Sequence, residues 1–277
     1  MKTMLTLALL LSVMDAFATS RFYPQSTLVK FQDEKTNSAD LREEIFNLGD
    51  KFHAIHENES DTLHDVCPTN SSCILQRRDV TYTEARQMMF GELFLEDMGQ
   101  GKYSLKEVYC NIELDQTKGI GPGKIPNPNF VNCEHTWPQS KFSKQFPSEL
   151  QKSDLHHLFP SDMRANSTRS NHPFAEVSGK ATHNNCQDSQ IGFAIDDHNV
   201  KSFEPPREHK GNVARALFYF STRYKIKIDD LQAKYLKIWN EEDPVDAAEM
   251  ERNEKIMKLQ GNRNPFIDYP ELINRLY

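Results

Sequence analysis

Apolar residues recur every three or four positions in several parts of the chain, and this spacing predicts amphipathic helices. The first predicted helix follows Ser38, which is in position to act as its N-cap. The second follows Thr81 and Glu84, which are spaced as a capping box. Three more are predicted towards the C-terminus, over Asn212 to about Tyr224, from Asp229 or Asp230 onwards, and over Asp246 to Leu259.

Shorter apolar runs predict strands in the middle of the chain. The run from Tyr103 to Leu114 alternates and ends at a long turn rich in glycine and proline. One strand is then predicted from Phe130 to His135 and another over Leu155 to Phe159. Ser161 is in position to cap a short helix that reaches Asn171. The local order is therefore strand, turn, strand, helix.

The first residues differ from the rest of the chain. They carry one lysine, an apolar run from Met4 to Met14 and a small-residue site at Ala16-Phe17-Ala18. These features are typical of a secretory signal peptide, which is too short to span a membrane. We expect cleavage after Ala18 and a secreted or periplasmic mature protein. Residues 19–37 lack periodicity and are expected to form an extended arm.

Composition and charge limit the class of partner. Of 277 residues, 38% are hydrophobic and 26% are charged, which is typical of a folded globular protein. The formal net charge of −7 argues against a polyanionic partner, but the charge is uneven. Residues 19–65 hold five Lys/Arg and ten Asp/Glu, whereas residues 201–240 hold nine and four. A local basic face is therefore compatible with an acidic chain.

The five cysteines fit an oxidising compartment. Cys67 and Cys73 flank a short polar turn and could close a small loop. Cys110 and Cys133 flank the glycine- and proline-rich turn and could tie two strands together. Cys186 would then be unpaired, and the alternative that all five are free stays open.

Candidate chemistry is concentrated at the end of the strand predicted up to His135. The imidazole of His135 has a pKa suited to taking a proton from water near neutral pH. Glu134 offers a carboxylate and Asn166 an amide oxygen, and oxygen ligands suit a hard divalent cation. Arg169 lies three residues beyond Asn166, so on a helix both would share a face and Arg169 could grip a phosphate. Trp137 is expected to pack beneath the turn.

Three sequence blocks resemble a known family. They are Glu134-His135-x-x-Pro138, then Asp154-Leu155-His156-x-Leu158-x-Pro160, then Asn166-x-x-Arg169-Ser170-Asn171-x-x-Phe174. Together they resemble the bacterial endonuclease I family of periplasmic and secreted nonspecific nucleases, within the ββα-metal (His-Me finger) group. Further blocks follow as far as Asn264-Pro265-Phe266, so the similarity covers roughly Thr81 to Ile267.

The resemblance implies a role for individual residues. His135 would be the general base, and Glu134 and Asn166 would hold one divalent cation, with Mg²⁺ favoured over Ca²⁺ or Mn²⁺. Arg169 is the second residue that we place in catalysis. The residues expected to contact phosphate or support the site are Asp154, His156, Asn171 and Arg215. Cleavage would leave a 5′-phosphate and a 3′-hydroxyl.

The resemblance also implies the fold. We expect an α+β protein, a mainly helical single domain around a ββα-metal core. The expected boundaries are a signal peptide over 1–18, an acidic N-terminal arm and helix over 19–80, and a nuclease domain over 81–277. Lys152 stands where some relatives have an acidic residue. His156 and His157 are expected to alternate on a strand, with one facing the site and the other facing out.

Two alternatives remain open at this point. The first is a secreted ribonuclease of the same family, since nothing in the sequence reads a base or a 2′-hydroxyl. The second is a non-catalytic binding protein with a structural zinc held by Cys133, His135, His156 and His157. Asn166 also lies in a glycosylation sequon, although we favour it as a ligand. The expected partners are DNA and RNA through their phosphates, with no membrane, and the protein is expected to be a monomer.

Overall fold

The computed structural model describes residues 21–277. The signal peptide predicted over 1–18 and its cleavage site lie outside the described residues. The chain divides into two compact units, a smaller one that ends at Gln76 and also includes Leu276, and a larger one of Arg77–Arg275 and Tyr277. Within the described range, no helix combines the length and the apolar character needed to cross a membrane.

From residue 21 onwards, the smaller unit contains two helices and a small antiparallel sheet. Its elements are α1 (Gln25–Gln32), α2 (Ser38–Asp50), β1 (Phe52–Ala54), β2 (Thr62–His64) and β3 (Cys73–Ile74), with strand order β2-β1-β3. The expectation of an extended arm over residues 19–37 is wrong, because α1 lies within it. The hydroxyl of Thr27 and the ammonium of Lys30 both bind the carboxylate of Glu44 on α2, a tertiary interaction without a local sequence signal. Asn37, rather than Ser38, caps α2.

The rest of the chain is a mixture of helices and three small antiparallel sheets. The helices are α3 (Tyr82–Met88), α4 (Ser148–Lys152), α5 (Met163–Arg169), α6 (Lys210–Arg223), α7 (Asp230–Glu242), α8 (Ala247–Gln260), α9 (Pro265–Asp268) and α10 (Leu272–Leu276). The strands are β4 (Glu96–Gly99), β5 (Lys102–Lys106), β6 (Glu113–Asp115), β7 (Val131–His135), β8 (Leu158–Asp162), β9 (Val177–His183), β10 (Cys186–Ala194) and β11 (Lys201–Glu204). The fold class is therefore mixed α+β.

Several predicted helices are confirmed, because their caps are local interactions. Thr81 and Glu84 form the capping box at the start of α3. Asp229 caps α7 by accepting from the backbone N–H of Gln232, and Asp246 caps α8. These caps satisfy N–H groups that the first turn of a helix leaves without partners.

The hairpin of β7 and β8 leads directly into α5. In the antiparallel register of the two strands, Glu134 lies opposite Phe159 and His135 opposite Leu158. A strand was predicted over Leu155 to Phe159, but β8 begins only at Leu158. Residues 155–157 instead form a 3₁₀ turn capped by Asp154. The helix predicted from Ser161 begins two residues later, because Asp162 accepts from two backbone N–H groups of the first turn of α5.

A core of apolar side chains lies beneath this hairpin. Met89, Phe90 and Leu93, which follow α3 in a π-helical turn, pack with Val131 of β7 and Leu158 of β8. Burial of these side chains is worth roughly 1.5–3 kcal/mol each. The β7–β8 hairpin therefore packs on the segment that directly follows α3, the helix that Thr81 and Glu84 cap.

The sheet of β9, β10 and β11 was not predicted from the sequence. Its strands are polar and largely exposed on one face, so they lack a continuous apolar signal. Gly179 and Gly192 lie opposite each other in the β9–β10 pair. A Cβ at Gly179 would stand 2.5 Å from the carbonyl oxygen of Ile191, so the two backbones approach at a distance that only glycine allows.

One of the two predicted disulfides is present in the structure, and the other is not. Cys67 and Cys73 are bonded, as predicted. Cys110 is bonded to Cys186, so the pairing of Cys110 with Cys133 is wrong. Cys133 has a free thiol that lies 3.7 Å from the sulfur of Met89 in the core beneath β7.

Replacing Cys110 and Cys186 with serine is expected to lower the free energy of unfolding by about 3–5 kcal/mol, because the bridge joins residues 76 positions apart. The corresponding replacement of Cys67 and Cys73, which are 6 positions apart, is expected to cost less. Urea denaturation followed by far-ultraviolet circular dichroism measures both. An equal or larger loss for the Cys67 pair would contradict this ordering.

Candidate functional site

Glu134 is buried at the end of β7, with 2% of its side chain exposed. Its Oε1 atom accepts hydrogen bonds from the hydroxyl of Tyr109 at 2.9 Å and from Nη1 of Arg169 at 3.0 Å. Burial raises the pKa of the Glu134 carboxyl, and Arg169 and Tyr109 counteract part of this shift. Within the described part of the chain, the second oxygen, Oε2, has no hydrogen-bond partner.

Arg169, the last residue of α5, joins this helix to the end of β7. Its Nη1 donates to the carbonyl oxygen of His135 at 3.0 Å and its Nη2 to that of Thr136 at 2.6 Å. Its guanidinium carbon lies 4.5 Å from the centre of the Phe174 ring. Because these groups occupy a guanidinium that is almost fully buried, the geometry favours a positioning role for Arg169 over direct contact with a substrate phosphate.

His135 has one ring nitrogen anchored and the other available as a base. Its Nε2 lies 3.1 Å from the backbone carbonyl oxygen of Lys152, and a carbonyl can only accept, so Nε2 carries the proton. Nδ1 is then the basic nitrogen, and it accepts a hydrogen bond of 3.3 Å from the side-chain amide of Gln139. Burial, with a smaller contribution from His157, lowers the pKa of His135 to about 3. The ring is therefore neutral at neutral pH, and its pKa lies well below the near-neutral value that was expected of this base from the sequence.

Asn166 lies on α5, which packs against β7 and β8. Its side chain is partly exposed, and its amide makes no hydrogen bond to any residue that the structure describes. The structure thus offers two oxygen donors without protein partners, the Oε2 atom of Glu134 and the amide oxygen of Asn166. A carboxylate and an amide oxygen are the donors that Mg²⁺ and Ca²⁺ prefer, so this pair fits a hard divalent cation.

Asn171, a predicted support residue, lies just beyond the end of α5 and is exposed. Its side-chain amide donates to the hydroxyl of Ser140 at 3.4 Å. This bond joins the end of α5 to the turn that follows β7.

His156 and His157 do not alternate between two faces, and that expectation is wrong. Both are fully buried, because residues 155–157 form a turn rather than a strand. Nε2 of His156 donates to the carbonyl oxygen of Asn262 at 3.2 Å, and Nε2 of His157 donates to that of Gln151 at 2.8 Å. Burial lowers the pKa of each ring to about 4.

Asp154 is the centre of a buried hydrogen-bond network. It accepts from the hydroxyls of Tyr219 at 3.0 Å and Tyr224 at 2.7 Å, and from the amide of Gln260 at 2.8 Å. Burial favours the neutral form, but the neighbouring histidines and the hydrogen bonds from Tyr224 and Gln260 outweigh it, so the pKa of Asp154 is lowered. The network links the turn before β8 to α6 and α8.

Arg215 lies on α6 and pairs with Glu249 on α8. Its Nε is 2.8 Å from Oε1 and its Nη2 is 2.6 Å from Oε2, and the pair is almost fully buried. Nη1 donates to the side-chain oxygen of Asn240 on α7 at 3.1 Å. The structure therefore does not bring Arg215 to the end of β7, and its guanidinium holds three helices together.

Glu107 was missed by the sequence analysis. Its Oε1 accepts from the backbone N–H groups of Cys110 and Ile112, and its Oε2 accepts from those of Tyr109 and Asp162. One carboxylate thus fixes the loop that carries Tyr109 to the end of β8. A single acidic residue after a strand has no distinctive sequence signal, because its four partners come together only in the fold.

A cluster of Cys110, His183 and Cys186 has the residue types of a metal site. The two sulfurs are joined in a disulfide, however, and are not available as thiolate ligands. His183 donates to Asp162, the cap of α5, at 3.0 Å. The cluster is therefore better described as a disulfide beside a hydrogen-bonded histidine.

The zinc site of Cys133, His135, His156 and His157, which the sequence left open as an alternative, is not assembled in the described part of the chain. Nε2 of each histidine is bound to a different backbone carbonyl, and the Cys133 thiol lies against Met89. The structure therefore does not support the zinc-stabilised alternative.

Comparison with known proteins shows that this chain is similar to nucleases. The family model described as Endonuclease I matches residues 96–271. An extracellular deoxyribonuclease of Aeromonas hydrophila is 35% identical over 185 residues, which cover 57% of this chain and 78% of that protein. An extracellular ribonuclease of Bacillus subtilis (strain 168) is 35% identical over 180 residues, 58% of each chain. An Endonuclease-1 of Buchnera aphidicola subsp. Acyrthosiphon pisum (strain APS) is 31% identical over 146 residues, covering 52% and 56%.

The buried ring of His209, whose pKa burial lowers from 6.5 to about 3, is expected to make stability depend on pH. The unfolded chain binds a proton at this histidine below about pH 6.5, while the folded protein does not until about pH 3. The free energy of unfolding should therefore decrease as the pH is lowered through this window. His209→Phe should reduce the slope of this free energy against pH by up to about 1.4 kcal/mol per pH unit. Urea denaturation at pH 7.5, 6.5, 5.5 and 4.5 measures the difference, and identical slopes would exclude this role.

Arg169→Met is expected to destabilise the protein by about 3–5 kcal/mol, because it leaves the buried Glu134 carboxylate without its cation. The double variant Glu134→Gln, Arg169→Met should recover part of the loss, since no buried charge remains. Both free energies of unfolding are measured by urea denaturation. A double variant that is less stable than Arg169→Met would show that the charge of Glu134 is not the source of the loss.

Proposed function

Because this chain belongs to the endonuclease I family, we propose that it is a secreted or periplasmic, metal-dependent endonuclease that hydrolyses phosphodiester bonds. The observation that carries the proposal is the geometry of His135. Its Nε2 is held by the carbonyl of Lys152, which leaves Nδ1 as the basic nitrogen, and His135 follows Glu134 at the end of β7, against which α5 with Asn166 packs. A base and a cation site at the end of one hairpin are what water activation at a phosphodiester requires.

We propose that β7, β8 and α5 form the ββα-metal core. Glu134 on β7 and Asn166 on α5 would hold one divalent cation, with Mg²⁺ favoured and Ca²⁺ or Mn²⁺ as alternatives. Such a cation supplies charge relief at the phosphoryl oxygens and stabilises the leaving oxygen. Arg169 favours the ionised form of the Glu134 carboxylate and orients it by donating to its Oε1 atom.

The proposed reaction begins with proton transfer from a water molecule to Nδ1 of His135. The amide of Gln139 occupies this nitrogen in the structure, so it must give way to the attacking water. The carbonyl of Lys152 holds the ring in the required tautomer throughout. Attack of the water oxygen on phosphorus breaks the bond to the 3′ oxygen, which takes a proton from solvent and leaves as a 3′-hydroxyl, while the attacking oxygen stays on the 5′-phosphate.

We propose that both DNA and RNA are substrates, cut with little sequence preference. The names of the relatives support this breadth, since they include a deoxyribonuclease and a ribonuclease. Recognition through phosphates carries no base information, and it weakens as salt rises. We propose that the nuclease domain spans residues 81–277 and follows an acidic N-terminal region over 19–80, which contains α1 and α2 in place of the expected arm. We also propose a monomer that has no membrane attachment.

His135→Ala is expected to lower the rate of plasmid cleavage in Mg²⁺ by about 10²- to 10⁴-fold, because the general base is lost. Wild-type cleavage should stop in EDTA and return with added Mg²⁺.

Asn166→Ala should raise the Mg²⁺ concentration that gives half-maximal activity, because it removes an oxygen ligand. Digestion of duplex DNA, single-stranded DNA and RNA in parallel measures these effects and the substrate range.

The matched controls are His198→Ala and Asn184→Ala, which remove exposed side chains of the same types. Both are expected to keep wild-type activity, and circular dichroism shows whether each variant is folded. Cleavage by His135→Ala at the wild-type rate would rule out its assignment as the base. An unchanged Mg²⁺ titration for Asn166→Ala would remove that residue from the cation site.

A further inference from the structure

A small cavity lies next to the candidate site, on the turn that follows β7. Its volume is about 210 Å³, and its walls come from this turn, from the end of α5 and from the start of α7. Thr136 and Lys141 line it from the turn, Arg169 and His172 from the end of α5, and Asp229 from the cap of α7. Lys141 is exposed, so the cavity is accessible from solvent.

The charge of this cavity is positive. Of the described residues that line it, Lys141, Arg169 and Lys227 are cationic, and Asp229 is the one acidic residue. Partial burial of the Lys141 ammonium lowers its pKa and repulsion from Arg169 lowers it further, while attraction to Asp229 acts in the opposite direction. Burial also lowers the pKa of His172, with repulsion from Lys201, Arg169 and Lys141 adding to the shift. Of these lining cations, Arg169 is paired with Glu134 and Lys227 with Asp230 at 2.9 Å, whereas Lys141 forms no ion pair with any residue that the structure describes.

Two buried donors among the lining residues lack partners. The hydroxyl of Thr136 and Nε of Arg169 have no hydrogen-bond partner in the described part of the chain. Their side chains are almost completely buried, with 0% and 2% of the residue surface exposed. Buried polar atoms are nearly always hydrogen-bonded, so unpartnered donors beside a cationic cavity indicate that it receives an acceptor.

We propose that this cavity binds a phosphate of the nucleic acid adjacent to the phosphate that is cleaved, through the ammonium of Lys141 and the hydroxyl of Thr136. The inference rests on the function proposed above and adds a substrate contact to it. Arg169 lines the cavity and also donates to the Glu134 carboxylate, so its side chain contacts both the cavity and the residue proposed to hold the cation.

The cavity fits a backbone phosphate better than a base. Trp137, one of the lining residues, stacks on Phe220 at 5.3 Å and donates to the carbonyl of Lys141. The indole is therefore occupied by packing and is not presented for stacking on a base. A phosphate contact in this cavity would thus position the nucleic-acid strand without recognising its base sequence.

The test measures binding of a short DNA duplex in EDTA, where no cleavage occurs, at salt concentrations from 50 to 200 mM. Lys141→Ala is compared with Lys144→Ala, an exposed lysine three residues along that does not line the cavity. Lys141→Ala is expected to weaken binding several-fold and to reduce the slope of log affinity against log salt by about 1. Lys144→Ala is expected to change neither quantity. Thr136→Val should weaken binding without changing the slope, because the hydroxyl is neutral.

A second measurement separates binding of a neighbouring phosphate from chemistry. In Mg²⁺, Lys141→Ala is expected to lower kcat/KM about 5- to 10-fold on duplex DNA but less than about 2-fold on a dinucleoside monophosphate, which has no neighbouring phosphate. An equal loss on both substrates, or an unchanged salt slope, would overturn the proposal. A reduced salt slope in a protein that cleaves neither substrate would support the phosphate site and overturn the proposed nuclease function.

Discussion

The buried ion pair of Glu134 and Arg169 is the constraint on which the rest of the site depends. A carboxylate and a guanidinium that are both 2% exposed are stable only when each has a partner, because desolvation of an unpaired charge costs several kcal/mol. The same guanidinium binds the carbonyls of His135 and Thr136. One side chain of α5 therefore fixes the carboxylate, the backbone of the neighbouring histidine and the course of the following turn.

The orientation of His135 depends on a second set of constraints. The carbonyl of Lys152 holds Nε2, and this carbonyl ends a short helix that is followed by the Asp154 turn. Asp154 in turn binds Tyr219 and Gln260, which belong to α6 and α8. The C-terminal helices are distant in sequence, but they support the turn that holds the histidine. Their packing is thus part of how the site is positioned.

Electrostatics near the site differ from those of the whole chain. The formal net charge is −7, yet Lys141, Arg169 and Lys227 line one small cavity beside β7. Local charge rather than net charge decides whether an anion approaches a surface, since screening limits the reach of distant charges to about 10 Å at 0.1 M salt. An acidic protein with a cationic cavity is therefore consistent with a polyanionic substrate.

Local features of this protein were determined by the sequence alone. The caps formed by Thr81, Asp229 and Asp246 act over three or four residues, and so does helical periodicity, which is why these helices were predicted. The adjacency of Glu134 and His135, with the blocks around Asp154 and Asn166, was also sufficient to identify the family. Such interactions join residues that are close together in the chain, so the sequence alone reveals them.

Only the tertiary structure decided which partners the remaining side chains take. Arg169 turns inwards because Glu134 lies beside it, and Cys110 bonds to Cys186 because β10 brings that residue close. His156 and His157 are both buried because Asp154 caps a turn where a strand was expected. The physical reason is that these contacts join residues far apart in the chain. Burial then sets both their energies and their pKa values, and burial is a property of the fold.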